Sequence, residues 1–343
     1  MNLKSSIEKY FADGVYLEHG TVSDLGYLAK IEELGKGLAN INYILTFAGN
    51  RKFVARFNFW QDKDWYSGNL ISIENEYQVL KFLEGNGVSP KVHLCDVSKE
   101  HFPYDFLLEE FIEHGDRKVD HDFPGIVQVV KKLHNVTIDD DARKIFRVDA
   151  SKKKKVSLFE ERLAVIETNR GEEIEQIFFS NQDIYMQYLS TVEEYLTGDT
   201  IIHHDTFPEN FLFRDGWYLV DWQTAALGNP IHDIAYLLMD FIYQFNLGRK
   251  LTDDEKNTIV EEYYGGDRDT SKLRKQAETL LPVYYIDLFL FILYKEEKLK
   301  SQKFENELTL FLQDRLALGR SIILKPEEIQ YWFDQMQQGI MHA

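Results

Sequence analysis

The chain has 343 residues, 44% hydrophobic and 28% charged, a length and balance that suggest two lobes around real cores. Its 39 Lys and Arg against 57 Asp and Glu give a formal charge of 39 − 57 = −18, a field that repels nucleic acid and anionic membranes and attracts cationic small molecules. One cysteine, Cys95, excludes an internal disulfide; no run of 18 apolar residues and no apolar N-terminal core is present, so the expectation is a cytoplasmic protein, monomer or homodimer.

The first third reads as mixed α/β. "INYILTF" (41–47) and "KFVARFNF" (52–59) are rich in β-branched and aromatic residues, and Gly49-Asn50 between them signals a hairpin. A helix follows, with Ile73, Tyr77, Leu80 and Leu83 on one face and Gly85 and Gly87 to stop it. "KVHLCDV" and "YDFLLEEFI" read as two more strands. "GIVQVVKKLHNV" then reads as an amphipathic helix burying Ile126, Val129, Val130 and Leu133. The basic run from Ser151 to Lys154 reads as a solvated loop, residues 157–197 as helical, and most of 230–343 as helical, including the apolar "VYYIDLFLFILYKEEKL". The fold class expected is α+β and bilobal. A small antiparallel-sheet lobe with one helix (1–112, hinge about 108–115) precedes a larger, mainly helical lobe (116–343).

Three groups of residues carry chemistry. Gly35 and Gly37 stand just before a strand, where a bare backbone can approach phosphate oxygens, although glycines so placed are also ordinary turn residues. Arg56 lies inside an apolar strand, and Glu76 shares the buried face of the next helix. A buried carboxylate needs a partner, and a strand cation paired with a helix glutamate orients nucleotide phosphates in kinases. The stretch "HHDTFPEN" has the form His-x-Asp-x-x-x-x-Asn, and the hairpin "FLFRDGWYLV" then delivers Asp221. Asp205 is thus the expected base for a substrate hydroxyl, with Asn210 and Asp221 as oxygen ligands of Mg2+. Each residue alone suits a cap or a turn; the set in this order favours phosphoryl transfer.

On these residues the chain resembles the superfamily of aminoglycoside phosphotransferases and choline kinases, whose fold is like that of protein kinases. "GLANINYIL" is similar to its nucleotide loop, with Asn40 and Tyr43 at recurring positions. Arg56 and Glu76 match its strand cation and helix glutamate. "FLLEEFIEHG" resembles the hinge that frames adenine, implying backbone contacts at Glu109, Glu110 and Phe111. "HHDTFPEN" matches the catalytic stretch, with His203 in support, and "LGNPIHDIAYLL" matches its Gly-x-Pro-x-x-Asp segment at Gly228, Pro230 and Asp233. His204 departs from it, standing where glycine is frequent, as do Glu209 and the long loop at 60–69. The resemblance covers roughly residues 30–240. It implies ATP, or alternatively GTP, as phosphoryl donor.

Asp221 and Asp233 are only 12 positions apart, too few for a segment that docks a polypeptide, so the acceptor is expected to be a small-molecule alcohol. Asp240, Tyr236 and Tyr243, read as one helix running on from Asp233, are the candidate substrate residues. A carboxylate with aromatic rings suits an amine or quaternary nitrogen. Two alternatives stay open: a choline/ethanolamine or sugar kinase, and a catalytically silent nucleotide-binding relative. The retention of Asp205, Asn210, Asp221, Arg56 and Glu76 together argues against the silent one.

Overall fold

The computed structural model describes residues 3–19, 25–60, 72–113, 115, 118–146, 152–166, 173–265, 269–301, 304 and 306–342. They form two compact units. The first joins the described residues up to Phe146 with Glu209–Ala225; the second joins those from Lys152 to Pro208 with those from Ala226 on.

In the first unit, helix α1 (Leu3–Ala12) precedes strands β1 (Leu28–Lys36), β2 (Asn40–Phe47) and β3 (Arg51–Asn58), helix α2 (Ile73–Leu83), and strands β4 (Val92–Asp96) and β5 (Asp105–Glu110). The strands make one antiparallel sheet in the order β1-β2-β3-β5-β4. Gly49 and Asn50 turn β2 into β3 with left-handed φ values of 73° and 60°, which glycine and asparagine tolerate best. Ile7, Tyr10 and Phe11 bury one face of α1, and Tyr10 meets Phe106 edge-on at 5.8 Å, while Phe57 and Phe106 stack at 4.7 Å.

Ser72 caps α2 by accepting the Asn75 N–H at 3.1 Å. Its buried face is Ile73, Glu76, Val79, Leu80 and Leu83; Val79 takes the place expected for Tyr77, which is half-buried. Burial of each leucine contributes roughly 1.5–3 kcal/mol, so the face carrying Glu76 is held against the sheet.

Helix α3 (Phe123–His134) buries the four residues expected. Asp122 caps it by accepting the Gly125 N–H at 3.1 Å and also accepts the Trp217 indole N–H at 2.7 Å. A Cβ on Gly125 would lie 2.5 Å from that indole nitrogen, so only glycine fits. Helix α4 (Asp140–Ile145) completes this stretch.

The second unit opens with α5 (Lys152–Ile166), α6 (Glu173–Thr191), α7 (Glu193–Leu196) and strand β6 (Thr200–Ile202). The lysine run is therefore no loop: Lys152 to Lys154 begin α5, and Lys155 is buried against Asp287 at 2.7 Å. Ser151, and all of the 60–69 loop except Trp60, lie outside the described residues. The chain next supplies the hairpin β7 (Phe211–Phe213) and β8 (Trp217–Leu219) to the first unit. It returns through β9 (Ala226–Gly228), which pairs antiparallel with β6.

The helix expected to run on from Asp233 is two helices, α8 (Ile231–Leu237) and α9 (Asp240–Leu247). Met239 between them is extended, and the Phe241 N–H donates to the Tyr285 hydroxyl at 3.1 Å. A tertiary acceptor thus breaks a segment that has no glycine or proline to mark the break. Asp240 consequently does not continue the face of Asp233.

Helices α10 (Asp253–Tyr264), α11 (Thr270–Glu278), α12 (Leu281–Ser301), α13 (Asn306–Ile323) and α14 (Pro326–His342) follow. Helix α12 packs against α5, α13 and α14 and is buried along most of its length. Among the described residues, the stretch Thr270–Ser301 has the length and hydropathy of a membrane span, but 78% of its apolar window is buried inside the protein. It also carries Asp287, which receives both Lys155 and the Tyr185 hydroxyl, the latter at 2.6 Å. Such pairing is what makes a buried carboxylate tolerable.

Candidate functional site

In the first unit, β3 places Arg56 with 4% of its surface exposed. Its guanidinium lies 2.7 Å from Asp221, 3.4 Å from Glu76 and 3.8 Å from Glu109. Burial alone would make the guanidinium easier to deprotonate, but Asp221, Glu76 and Glu109 outweigh it and hold Arg56 firmly charged. For Glu76 and Glu109 burial is the largest influence and raises the carboxyl above its ordinary range, with Arg56 opposing. One cation thus serves three carboxylates. The Arg56–Glu76 pair expected from the sequence is present, and Glu76 also accepts the Trp222 N–H at 3.0 Å, which ties α2 to the segment after Asp221.

The β7–β8 hairpin brings Asn210 and Asp221 together: the Val220 N–H donates to the Asn210 carbonyl at 2.9 Å, and both side chains line one cavity of about 220 Å³. Leu34, Val54, Ile112, Leu212 and Val220 form its apolar walls, with Arg56, Glu109 and Phe111 also exposed to it. Among the described residues, no group of three or more His, Cys, Asp and Glu side chains is set to hold a metal by itself. Asn210 and Asp221 nevertheless fit Mg2+ as a pair of hard oxygen donors, since this ion keeps several waters and takes other ligands from phosphate. Asp221 has a left-handed φ of 67°.

The other expected nucleotide residues are distributed as follows. Gly35 ends β1 with nothing within 4 Å of where a Cβ would sit, and the Gly37 N–H donates to the Asn40 carbonyl at 2.8 Å. Packing therefore does not demand glycine at Gly35. Asn40 does not line the cavity. It is buried and holds Gln223 at 2.9 Å and Asn58 at 2.9 Å, so it braces the segment that follows Asp221. Glu110, beside Phe111, accepts from Arg214 at 2.6 Å. Glu109 was expected to act through its backbone, yet that backbone belongs to the β3–β5 and β4–β5 pairing, while its side chain enters the cavity.

In the second unit, β6 leads into His203, His204 and Asp205. Asp233 is fully buried and accepts the His203 N–H at 2.8 Å and the His204 N–H at 2.7 Å, one on each oxygen. His204 has a φ of 66°, which explains why glycine is suited to this position. Asn229 starts α8 by accepting the Ile231 N–H at 3.1 Å. The Tyr236 hydroxyl donates to Asp205 Oδ1 at 3.0 Å, so Tyr236 orients the expected base directly.

Behind this loop His232 contacts the Tyr284 hydroxyl at 2.7 Å, and burial lowers the pKa of both His204 and His232 to about 3. Tyr243 is fully buried and lines no cavity described here. Asp240 faces a cavity of about 410 Å³ walled by Phe241, Tyr285, Phe289, Tyr331 and Trp332, with Tyr285 and Trp332 stacked at 4.1 Å, and it pairs with Lys256 at 2.9 Å. Sequence reasoning missed that aromatic wall, because α12 and α14 carry no motif. It also missed Gln223 and the Glu109 side chain, for which an acid inside the apolar run "FLLEEF" was the available signal.

Residues 30–269 match the family described as the phosphotransferase enzyme family. The LicA homolog of Mycoplasma capricolum subsp. capricolum is 25% identical over 134 residues, 38% of this chain and 50% of that relative, so the match spans about half of that protein. Among solved structures, ethanolamine kinase of Plasmodium vivax superposes with a TM-score of 0.62 at 14% identity, covering 87% of this chain and 83% of that one. The streptomycin–ATP–APH(2″)-IIa ternary complex superposes with a TM-score of 0.57 at 15% identity, covering 94% and 97%. The match over residues 30–269 takes in the Arg56 cluster, the Asn210–Asp221 hairpin and the Asp205–Asp233 loop alike, and the chain belongs to the phosphotransferase enzyme family.

Proposed function

We propose that this protein transfers the γ-phosphate of ATP, with Mg2+, to a hydroxyl of a small amine-bearing alcohol. The observation that carries the transfer is the cavity in which Arg56, Asn210 and Asp221 converge beneath apolar walls. Arg56 binds phosphate oxygens, and Asn210 and Asp221 hold the ion that neutralises them. Backbone at Gly35 and Gly37 covers the phosphates, and Glu110 and Phe111 flank the base. Asp205, kept in place by Tyr236 and by the loop that Asp233 anchors, accepts the proton of the attacking hydroxyl.

The amine rests on the aromatic cavity with Asp240, Glu327 and Glu328 on its border. Lys256 already neutralises part of the Asp240 charge, so the rings and the two glutamates share the task. The ethanolamine kinase neighbour supports an amino alcohol, and the aminoglycoside phosphotransferase neighbour supports an amino sugar.

ADP release measured across amino alcohols, amino sugars, aminoglycosides, neutral sugars and nucleosides tests both parts. Turnover is expected with an amine-bearing alcohol, and Asp240→Ala should raise its Michaelis constant with that of ATP unchanged. Turnover of a neutral sugar, indifferent to Asp240→Ala, would remove the amine and leave the kinase. No turnover with any acceptor, together with no ATP binding, would remove both.

A further inference from the structure

Glu109 is 3% exposed, and its Oε2 is buried without a hydrogen-bond partner. Its nearest cation, Arg56, is 3.8 Å away and is closer to two other carboxylates. A dry carboxylate oxygen is costly, and a ligand that draws Arg56 toward its phosphates makes the oxygen more isolated still. The cavity must therefore receive a donor at this point when it fills. Asn42 Oδ1 is also buried there without a partner, but a neutral amide is less costly to leave dry than a carboxylate.

The shape says which donor. Arg56, Asn210 and Asp221 make one region of the cavity polar, and the walls between Val54 and Leu212 are apolar and suit a flat base. A purine enters with its ribose toward the polar groups and solvent, so the edge opposite the sugar, bearing C6 and N1, goes deepest. Glu109 pairs with Val54 across the β3–β5 ladder and is among the most buried of the lining residues. At C6 adenine carries an amino donor, whereas guanine carries a carbonyl acceptor that would oppose a carboxylate. We propose that the Glu109 side chain is a specificity-determining group for the phosphoryl donor: its free oxygen accepts a hydrogen bond from the exocyclic amino group of adenine and thereby selects ATP over GTP. This rests on the nucleotide reading of the same cavity.

The test is the dissociation constant, with Mg2+, of ATP, GTP and purine riboside triphosphate, which is ATP without the amino group. The wild-type chain should bind ATP about 10- to 100-fold tighter than either of the others, the span of one hydrogen bond to a charged group. Glu109→Met should bring ATP and purine riboside triphosphate within about 3-fold of each other, and Glu109→Gln, whose amide can donate to a guanine carbonyl, should improve GTP. Equal wild-type affinities for ATP and purine riboside triphosphate, or GTP as tight as ATP, would overturn the assignment while leaving the kinase reading intact. Failure of the folded wild-type chain to bind any of the three would overturn the kinase reading and this one with it. The wild-type comparison decides even if a variant fails to fold.

Discussion

Replacement of Arg56 by methionine isolates the electrostatics of the first unit. The guanidinium is 4% exposed and faces Asp221, Glu76 and Glu109 at 2.7, 3.4 and 3.8 Å. Each attraction is a few kcal/mol at an effective dielectric of about 20, but mutual repulsion of the carboxylates and desolvation of the guanidinium take back much of the sum. Removal of one partner from a buried ionic group typically costs about 3–5 kcal/mol, and that is the expected loss at pH 8. The sign with pH follows from the glutamates. Both have folded pKa values above their unfolded ones, so their contribution is full below the unfolded carboxyl value near 4.3 and is lost as pH rises through the folded values. Without Arg56 those values climb further, so the deficit should shrink between pH 8 and pH 5.5 as protons replace the missing cation. Urea titration followed by fluorescence reads this unit directly, because Trp60, Trp217 and Trp222 are all buried in it. Glu76→Gln is the control. It removes one negative charge, keeps an acceptor for the Trp222 N–H, and should change stability by less than about 1 kcal/mol. A loss under about 1 kcal/mol in Arg56→Met, or a deficit that grows on acidification, would refute the account.

ATP with Mg2+ should raise the melting temperature well beyond either alone, because two protein oxygens hold the ion poorly without phosphate; an equal shift with ATP plus chelator would contradict this. Asp205→Asn should keep ATP affinity and lower turnover by roughly 100-fold or more, as expected for loss of a general base, and a fully active variant would reassign that role. In the second unit His204 and His232 fold with pKa values near 3, below the unfolded value of about 6.5. Their contribution is therefore present above pH 6.5 and lost as pH falls toward 3, and His232→Gln should take up about one proton fewer on acid unfolding than the wild-type chain.

The first unit was legible where local rules and tertiary demands agree. Strands β2 and β3 follow from β-branched residues around Gly49-Asn50, and α3 follows from its apolar stripe. Arg56 and Glu76 were readable together because a charge on an apolar face asks for a partner, and the hairpin carrying Asp221 was readable from Asp215-Gly216. The break between α8 and α9 was not, since its cause is the Tyr285 hydroxyl, 44 residues from Phe241 in sequence. The same holds for Lys155: a run of four lysines reads as solvated until Asp287 and Tyr185 appear from α12 and α6. The sequence also offered the Asp205–Tyr236 pair only as two separate residues, one a base and one a ring.

Two non-glycine residues with left-handed backbone, His204 and Asp221, stand at the two loops that bear the chemistry. Left-handed backbone costs a residue with a Cβ about 1–2 kcal/mol, so each must be imposed by its surroundings. At His204 the imposing group is Asp233, whose two oxygens take two successive N–H groups at 2.8 and 2.7 Å. Hydrogen bonds to a charged acceptor contribute about 1.5–3 kcal/mol each, enough to offset the strain. The burial of His204 against His232, with ring centres 5.5 Å apart, gives the side chain a packing role that glycine could not fill. At Asp221 the next residue, Trp222, gives its N–H to Glu76, and Gln223 is held by Asn40, so the turn is fixed from α2 and β2 at once. The strain sits beside the groups that must be aimed, and the bonds that sustain it are buried. Substitution of these buried anchors should therefore disturb catalytic geometry, even though none of them meets the reacting atoms.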